Sequence, residues 1–201
     1  MPSLSELLEE ARLEELDLKA LTISGEEAPN AELGAIDVKA CTFSHCTFSG
    51  CRFEGTGFQD VTFTDCDLSG ALFFDGGLKN VIFQRCRLMG TVFSGAVLNQ
   101  VRFDQCSAPY LNLSGCTLKS CRLEGGTFTG GSLSRLKCQK CTVADCDFTR
   151  CDFSGTPMSG FDLSGCKIEG ATWSLDQLQG MTVSMDQALE LAKLLGLNIV
   201  L

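Results

Sequence analysis

Stepping by five from Val38 to Trp173, the chain places an apolar residue at every one of twenty-eight steps, with no insertion or deletion. These centres are Val, Phe, Leu, Met, Ile or Trp, with Ala108 and Cys138 the smallest. In a chain that is 44% apolar, such a run arises by chance about once in ten billion. The position two before each centre never carries a charge, so every Asp, Glu, Lys and Arg of 36–175 falls in the other three. Two positions of each quintet therefore face inward and three face outward. A period of five matches neither the helix at about 3.6 nor the strand at about 2. It predicts a short extended piece, then a turn, then the same again. Gly fills the last position at 50, 55, 70, 95, 115, 125, 155, 160, 165 and 170, where the turn calls for positive φ. Ser or Thr often precedes it, placed to bond the turn backbone.

A slower period lies over the first. Cys46, Cys66, Cys86, Cys106, Cys146 and Cys166 fall on one twenty-residue ladder, interrupted only at Gly126. Val61, Val81 and Val101 form a second, Phe43, Phe63, Phe83 and Phe103 a third, Phe53, Phe73 and Phe93 a fourth. Four quintets per coil predict an all-β, square solenoid of seven to eight coils, with like residues stacked about 4.8 Å apart. The seven coils of 36–175 then span about 34 Å.

The ends break the pattern. Residues 1–15 are expected to form a capping helix, with Ser3 and Glu6 as a capping box and Leu4, Leu7, Leu8 and Ala11 on one face. Such a cap covers the raw edges of a solenoid. The repeat body is expected over 16–183, with GEEAPN (25–30) looping out because it would turn Glu26 inward. SAPYL (107–111) reads as a local bulge or kink. In 184–201, Ser184 caps a helix carrying Met185, Ala188, Leu189, Ala192 and Leu195 on one side; Gly196 stops it and LNIVL follows as a short strand. This tail is more apolar than a plug requires. Met185, Ala188, Leu189, Ala192, Leu195, Leu197 and Ile199 are the candidate interface of a homodimer.

Composition narrows the chemistry. Fourteen Phe against one Tyr and one Trp fit rings enclosed where a hydroxyl would need a partner. Thirteen Cys would fit a disulfide scaffold in a small secreted chain. The acidic opening MPSLSELLEEARLE carries no apolar stretch of the signal-peptide kind, so free thiols in a reducing cytoplasm are expected. Twelve of the thiols sit at the inward small position and run as a column, whereas a zinc site needs ligands converging on one point. Stacking at about 4.8 Å also exceeds the usual Cβ separation of a disulfide, about 3.5–4.5 Å. The cysteines are expected to be packing residues. No apolar run reaches membrane-spanning length. No nucleophile–base pair, phosphate loop or convergent carboxylate set stands out, so catalytic residues, metal and cofactors are all expected to be none.

The quintets resemble the pentapeptide-repeat family over about 140 of the 201 residues. That resemblance implies a right-handed quadrilateral β-helix. The tail VSMDQALELAKLLGLNIVL further resembles the quinolone-resistance, gyrase-interacting subgroup of mycobacterial fluoroquinolone-resistance type, at Asp186-Gln187-Ala188, Ala192 and Gly196-Leu197. There, C-terminal helix and strand join two rods tip to tip, and the dimer imitates duplex DNA towards type II topoisomerase. The resemblance thus implies DNA gyrase or topoisomerase IV as partner.

The charge fits that implication poorly. Net charge is −9, yet residues 36–175 hold thirteen acidic and thirteen basic side chains. The excess acid lies in residues 1–35. A DNA mimic would carry acid along its faces. One face, with five Lys and two Asp, is mildly basic but lacks the interleaved aromatics of a nucleic-acid binder. The alternative is a protein-interaction scaffold with a different partner, using the outward apolar residues Leu72, Phe74, Ile82, Val92 and Val97.

Overall fold

The computed structural model describes residues 3–194, 196 and 197. It is a parallel β-solenoid closed at each end by a short helix, and its register advances by twenty residues, as in Leu18↔Val38 and Phe63↔Phe83. We call the faces first to fourth, beginning with the quintets at 36, 41, 46 and 51. The first and second faces carry the strands: β1 (Leu18–Lys19), β2 (Thr22–Ser24), β3 (Asp37–Lys39), β4 (Thr42–Ser44), β5 (Gly57–Thr64), β6 (Gly77–Gln84), β7 (Val97–Asn99), β8 (Arg102–Asp104), β9 (Thr117–Lys119), β10 (Arg122–Glu124), β11 (Lys137–Gln139) and β12 (Thr142–Ala144). The third and fourth faces are held by single bridges such as Thr47↔Asp67 and Leu72↔Val92.

The five-residue pattern becomes a hydrogen-bond cycle. The second residue of a quintet donates to the first-position carbonyl of the coil before, as Thr42 N–H does to Leu21 at 2.8 Å. The third donates forward to a second-position carbonyl, as Phe48 does to Asp67 at 2.7 Å. The fifth donates to a fourth-position carbonyl, as Ala40 does to Gln59 at 3.0 Å. That fifth residue has positive φ in every quintet from Ala40 to Gly160. Gly supplies it at many third- and fourth-face corners, but Ala40, His45, Asp65 and Arg85 adopt it too. Each such non-Gly residue costs about 1 kcal/mol, a cost the fixed ladder bonds offset. At the fourth position it is a second-position Asp or Asn that bonds the turn: Asp67 accepts from Ser69 N–H and Asn112 from Ser114 N–H, both at 2.9 Å. The turn-bonding group is thus mainly the Asx side chain two residues earlier, not the expected Ser or Thr hydroxyl.

Phe43, Phe63, Phe83 and Phe103 stack in one column at 5.1–5.2 Å, Phe83 lying 5° and 9° from parallel to its neighbours. The inward cysteines pack beneath them and also donate. Cys106 Sγ reaches the Phe83 carbonyl at 3.2 Å, and Cys151 Sγ the Phe128 carbonyl at 2.9 Å. Thr91 Oγ1 does the same to Leu68 at 2.8 Å. The small inward position is thus a weak donor serving the coil below, which explains why Cys and Thr share it.

Two expectations fail. Residues 26–30 form a regular quintet rather than a loop: Ala28 is the buried centre and Glu27 bridges Thr47. Glu26 is tolerated inward because its carboxylate accepts from Leu4 N–H, at the start of α1 (Leu4–Leu13), at 3.4 Å. SAPYL does not bulge. Ala108 is fully buried, Ser107 bridges Arg87 and Thr127, and Leu111 N–H closes the turn onto Ala108 at 3.2 Å. Pro109, like Pro29, takes the fourth position, whose N–H the ladder does not use.

Pro157 takes the second position, where the N–H is a ladder donor; one coil below, Lys137 uses it to reach Cys116 at 3.0 Å. Phe161 then overfills the small inward slot. Among the described residues no ladder bond joins 137–145 to 157–165, although 146–155 and 166–175 remain joined, as by Lys167 N–H to Cys146 at 2.9 Å. The corners at 158–161 and 163–166 convert to hydrogen-bonded turns, and this coil pairs instead with 177–182 through Met158 to Gln177 and Leu163 to Thr182. A wedge opens above β11 and β12, lined by Cys138, Cys141, Val143, Met158, Phe161 and Leu163.

Both end helices carry capping boxes, Ser3 with Glu6 on α1 and Ser184 with Gln187 on α2 (Met185–Lys193). Leu4, Leu8 and Ala11 bury against the first coil.

Candidate interaction surfaces

The outward apolar residues do not form one patch. Leu72 and Val92 are bridge partners on the fourth face, half-buried, with Phe74 in the same quintet as Leu72. Val97 is exposed on the adjoining first face. Ile82 lies on the second face, pairing with Thr62 and Arg102, across the rod from Leu72. Ile82 and Val97 thus lie on adjoining faces, as the four-quintet coil expects, while Ile82 and Leu72 lie on opposite ones. Beside Val97, the side-chain-free Gly57 and Gly77 leave a shallow groove of about 350 Å³ edged by Asp37, Lys39 and Lys79. On the third face, Tyr110 of SAPYL is exposed, as is Met89, which the outward apolar set passed over.

On α2, Met185 and Ala188 are exposed, Leu189 and Ala192 half-buried, and Leu197 exposed beyond the helix. Leu195 and Ile199 lie outside the described residues. The residue that fastens α2 is Gln187, which the apolar pattern missed. Its Nε2 donates to the carbonyls of Leu163 at 2.8 Å and Cys166 at 2.7 Å, while its Oε1 accepts from Ser184 N–H. The Ser184–Gln187 spacing was the available signal.

Charge on the rod is cancelled locally. Arg85 grips Asp65 with two hydrogen bonds, 2.8 and 2.7 Å, and holds that carboxyl below the usual range. Arg102 reaches Asp104 and Glu124, and Lys167 reaches Asp147. The acidic excess sits at the N-terminal tip, where Glu9, Glu10, Glu14 and Glu15 are exposed.

All thirteen cysteines are free thiols. Burial pushes Cys51, Cys106 and Cys116 up to about 11 and Cys151 to about 12, so they stay protonated. Cys138 and Cys141 are the two that are not fully buried. Among the described residues no three His, Cys, Asp or Glu are grouped to hold a metal ion, and no helix is long and apolar enough to cross a membrane.

The pentapeptide repeat region model matches residues 56–133, and the model of pentapeptide repeats in eight copies matches 38–73 and 132–170. The chain belongs to the pentapeptide-repeat family. Among solved structures, trypsin-treated QnrB1, a plasmid-mediated fluoroquinolone resistance protein, is 20% identical, covering 92% of this chain and 99% of its own, at a TM-score of 0.46. HetL, a pentapeptide repeat protein involved in heterocyst differentiation regulation from the cyanobacterium Nostoc sp. strain PCC 7120, is 16% identical, covering 90% and 95%, at 0.35. No curated protein matches the chain.

Proposed function

We propose that this chain is a non-enzymatic interaction rod that binds a protein, with a type II topoisomerase, DNA gyrase or topoisomerase IV, as that partner. The observation that carries the rod reading is the fixed register: outward side chains recur every twenty residues on flat faces, a surface suited to an extended contact. The topoisomerase reading draws on the rod, the tail resemblance and the net charge of −9, although that acid gathers at the N-terminal tips rather than along the faces. Two rods joined through Met185, Ala188, Leu189 and Ala192 of α2 would carry those tips at opposite ends. The working compartment is taken to be the cytoplasm, where the thiols stay reduced.

The local cancellation of charge favours a second reading, a scaffold for a different protein partner through Leu72, Phe74, Val92 and Val97. The two separate by salt. Charge mimicry weakens steeply as salt rises, and an apolar contact does not. The deciding experiment is inhibition of gyrase supercoiling by purified protein, with and without a fluoroquinolone, at low and moderate salt. Inhibition or drug protection at micromolar protein supports the topoisomerase reading. No effect at tens of micromolar overturns it for gyrase and leaves the apolar scaffold.

A further inference from the structure

The thirteen cysteines are not equivalent. Eleven are buried, and the other two face the break in the ladder between 137–145 and 157–165. Cys138 occupies a centre, where the repeat otherwise uses a larger apolar side chain or Ala108, and Cys141 the inward position of the next quintet. They stand three residues apart across one corner, both lining the wedge. Cys141 Sγ makes long contacts to the carbonyls of Leu118 and Gln139, each at 3.5 Å, and the thiols of Cys121 and Cys138 lie beside it. The first-face side of the rim is cationic: Lys119, Lys137 and Lys140 are exposed, and among the described residues none of them forms an ion pair, while Asp145 and Asp162 are exposed on the second-face side.

We propose that Cys138 and Cys141 form a reactive dithiol, open through the wedge to thiol–disulfide exchange with anionic low-molecular-weight disulfides. Cys141 is the attacking sulfur. Thiol hydrogen bonds from Cys121 and Cys138 hold its pKa below the ordinary value against the opposing effect of burial, and the lysine rim concentrates an anionic reagent. In the first step the Cys141 thiolate attacks one sulfur of the reagent. A mixed disulfide forms, the reagent's S–S bond breaks, and one thiolate leaves to take up a proton. Cys138 then loses its proton and attacks the Cys141 sulfur. The Cys138–Cys141 bond forms and a second thiolate leaves. The protein loses two electrons and two protons, and the disulfide becomes two thiols. The other cysteines are buried away from this chemistry, Cys51 in an unbroken coil and Cys151 on a face still bonded to the coil above, its carbonyl accepting from Thr172 N–H at 2.8 Å.

The test incubates the native full chain with glutathione disulfide, then alkylates and maps the remaining thiols by mass spectrometry. The expected result is loss of two thiols, at Cys138 and Cys141, without added mass. With Cys138→Leu the expected product is instead one glutathione on Cys141. Lys137→Glu with Lys140→Glu should slow the reaction about tenfold while leaving neutral N-ethylmaleimide labelling unchanged. Pro157→Asp with Phe161→Thr, which restores the ladder donor and the small inward residue, should slow both reagents about tenfold. No reaction in the native chain, reaction spread over the buried cysteines, or an unchanged rate in the closed-wedge variant would overturn the proposal.

Discussion

Gln187 Nε2 donates to the Cys166 carbonyl at 2.7 Å, across the joint between α2 and the last coil. The same nitrogen also serves Leu163, whose carbonyl already takes the turn bond from Cys166 N–H, so one amide ties α2 to two carbonyls at the end of the solenoid. Gln187→Glu keeps the shape and removes both donors. It should cost about 2–4 kcal/mol, since the Cys166 carbonyl loses its partner, the Leu163 carbonyl keeps only the turn bond from Cys166 N–H, and the carboxylate is drawn into a buried site. Urea denaturation near neutral pH reads this, and a loss under about 0.5 kcal/mol would show that α2 is held by its apolar contacts instead.

Phe83 is wholly buried between Phe63 and Phe103. Phe83→Ala removes a ring with packing on both sides and should destabilise by about 3–5 kcal/mol. Phe83→Leu, which the repeat accepts at Leu78 and Leu88, should recover more than half of that on the same measurement.

Thr156 Oγ1 donates to the Leu133 carbonyl at 2.6 Å and accepts from Leu136 N–H at 3.0 Å, pinning the lower lip where the wedge begins. Thr156→Val leaves two buried backbone groups unpartnered, an expected loss of about 2–4 kcal/mol. Thr156→Ser should be nearly neutral. Equal losses for the two variants would assign the effect to the methyl group.

Asp65 lies below the ordinary carboxylate range because Arg85 bonds it. A depressed folded-state pKa contributes stability that is present above the unfolded value and lost as pH falls through the folded one. Arg85→Gln should therefore raise the Asp65 pKa towards its ordinary value and flatten the acid side of the stability profile. Carbon-detected NMR titration of the Asp65 carboxyl gives the first result directly.

Periodicity made most of the fold legible. Every interior residue from Val38 to Leu133 obeys the two-column rule because each inward slot meets an identical slot above and below. What escaped were residues that act across that rule. Glu26 is a charge in an inward column, readable only once α1 lies over it. Pro157 and Phe161 keep the count of five but break its hydrogen bonds and volumes, and counting apolar centres cannot register a lost donor. The signal was present in type: Pro157 is the one proline at a second position, and Phe161 the one aromatic at the small inward position of 36–175. The surface was less legible. Leu72 and Ile82 belong to one list of outward apolar residues and stand on opposite sides of a square rod.

The missing bonds between 137–145 and 157–165 also divide the molecule energetically. In a stack where each layer touches only those beside it, cooperativity passes along the axis through the interface between layers. Half of one interface is absent here, so the last coil with α2 has a separate, lower opening free energy than the coils beneath. Hydrogen exchange should find the amides of 158–182 released together, by an EX2 opening that leaves Phe63 and Phe83 protected. The rod would then melt from its α2 end, as a layered solid cleaves along its weakest plane.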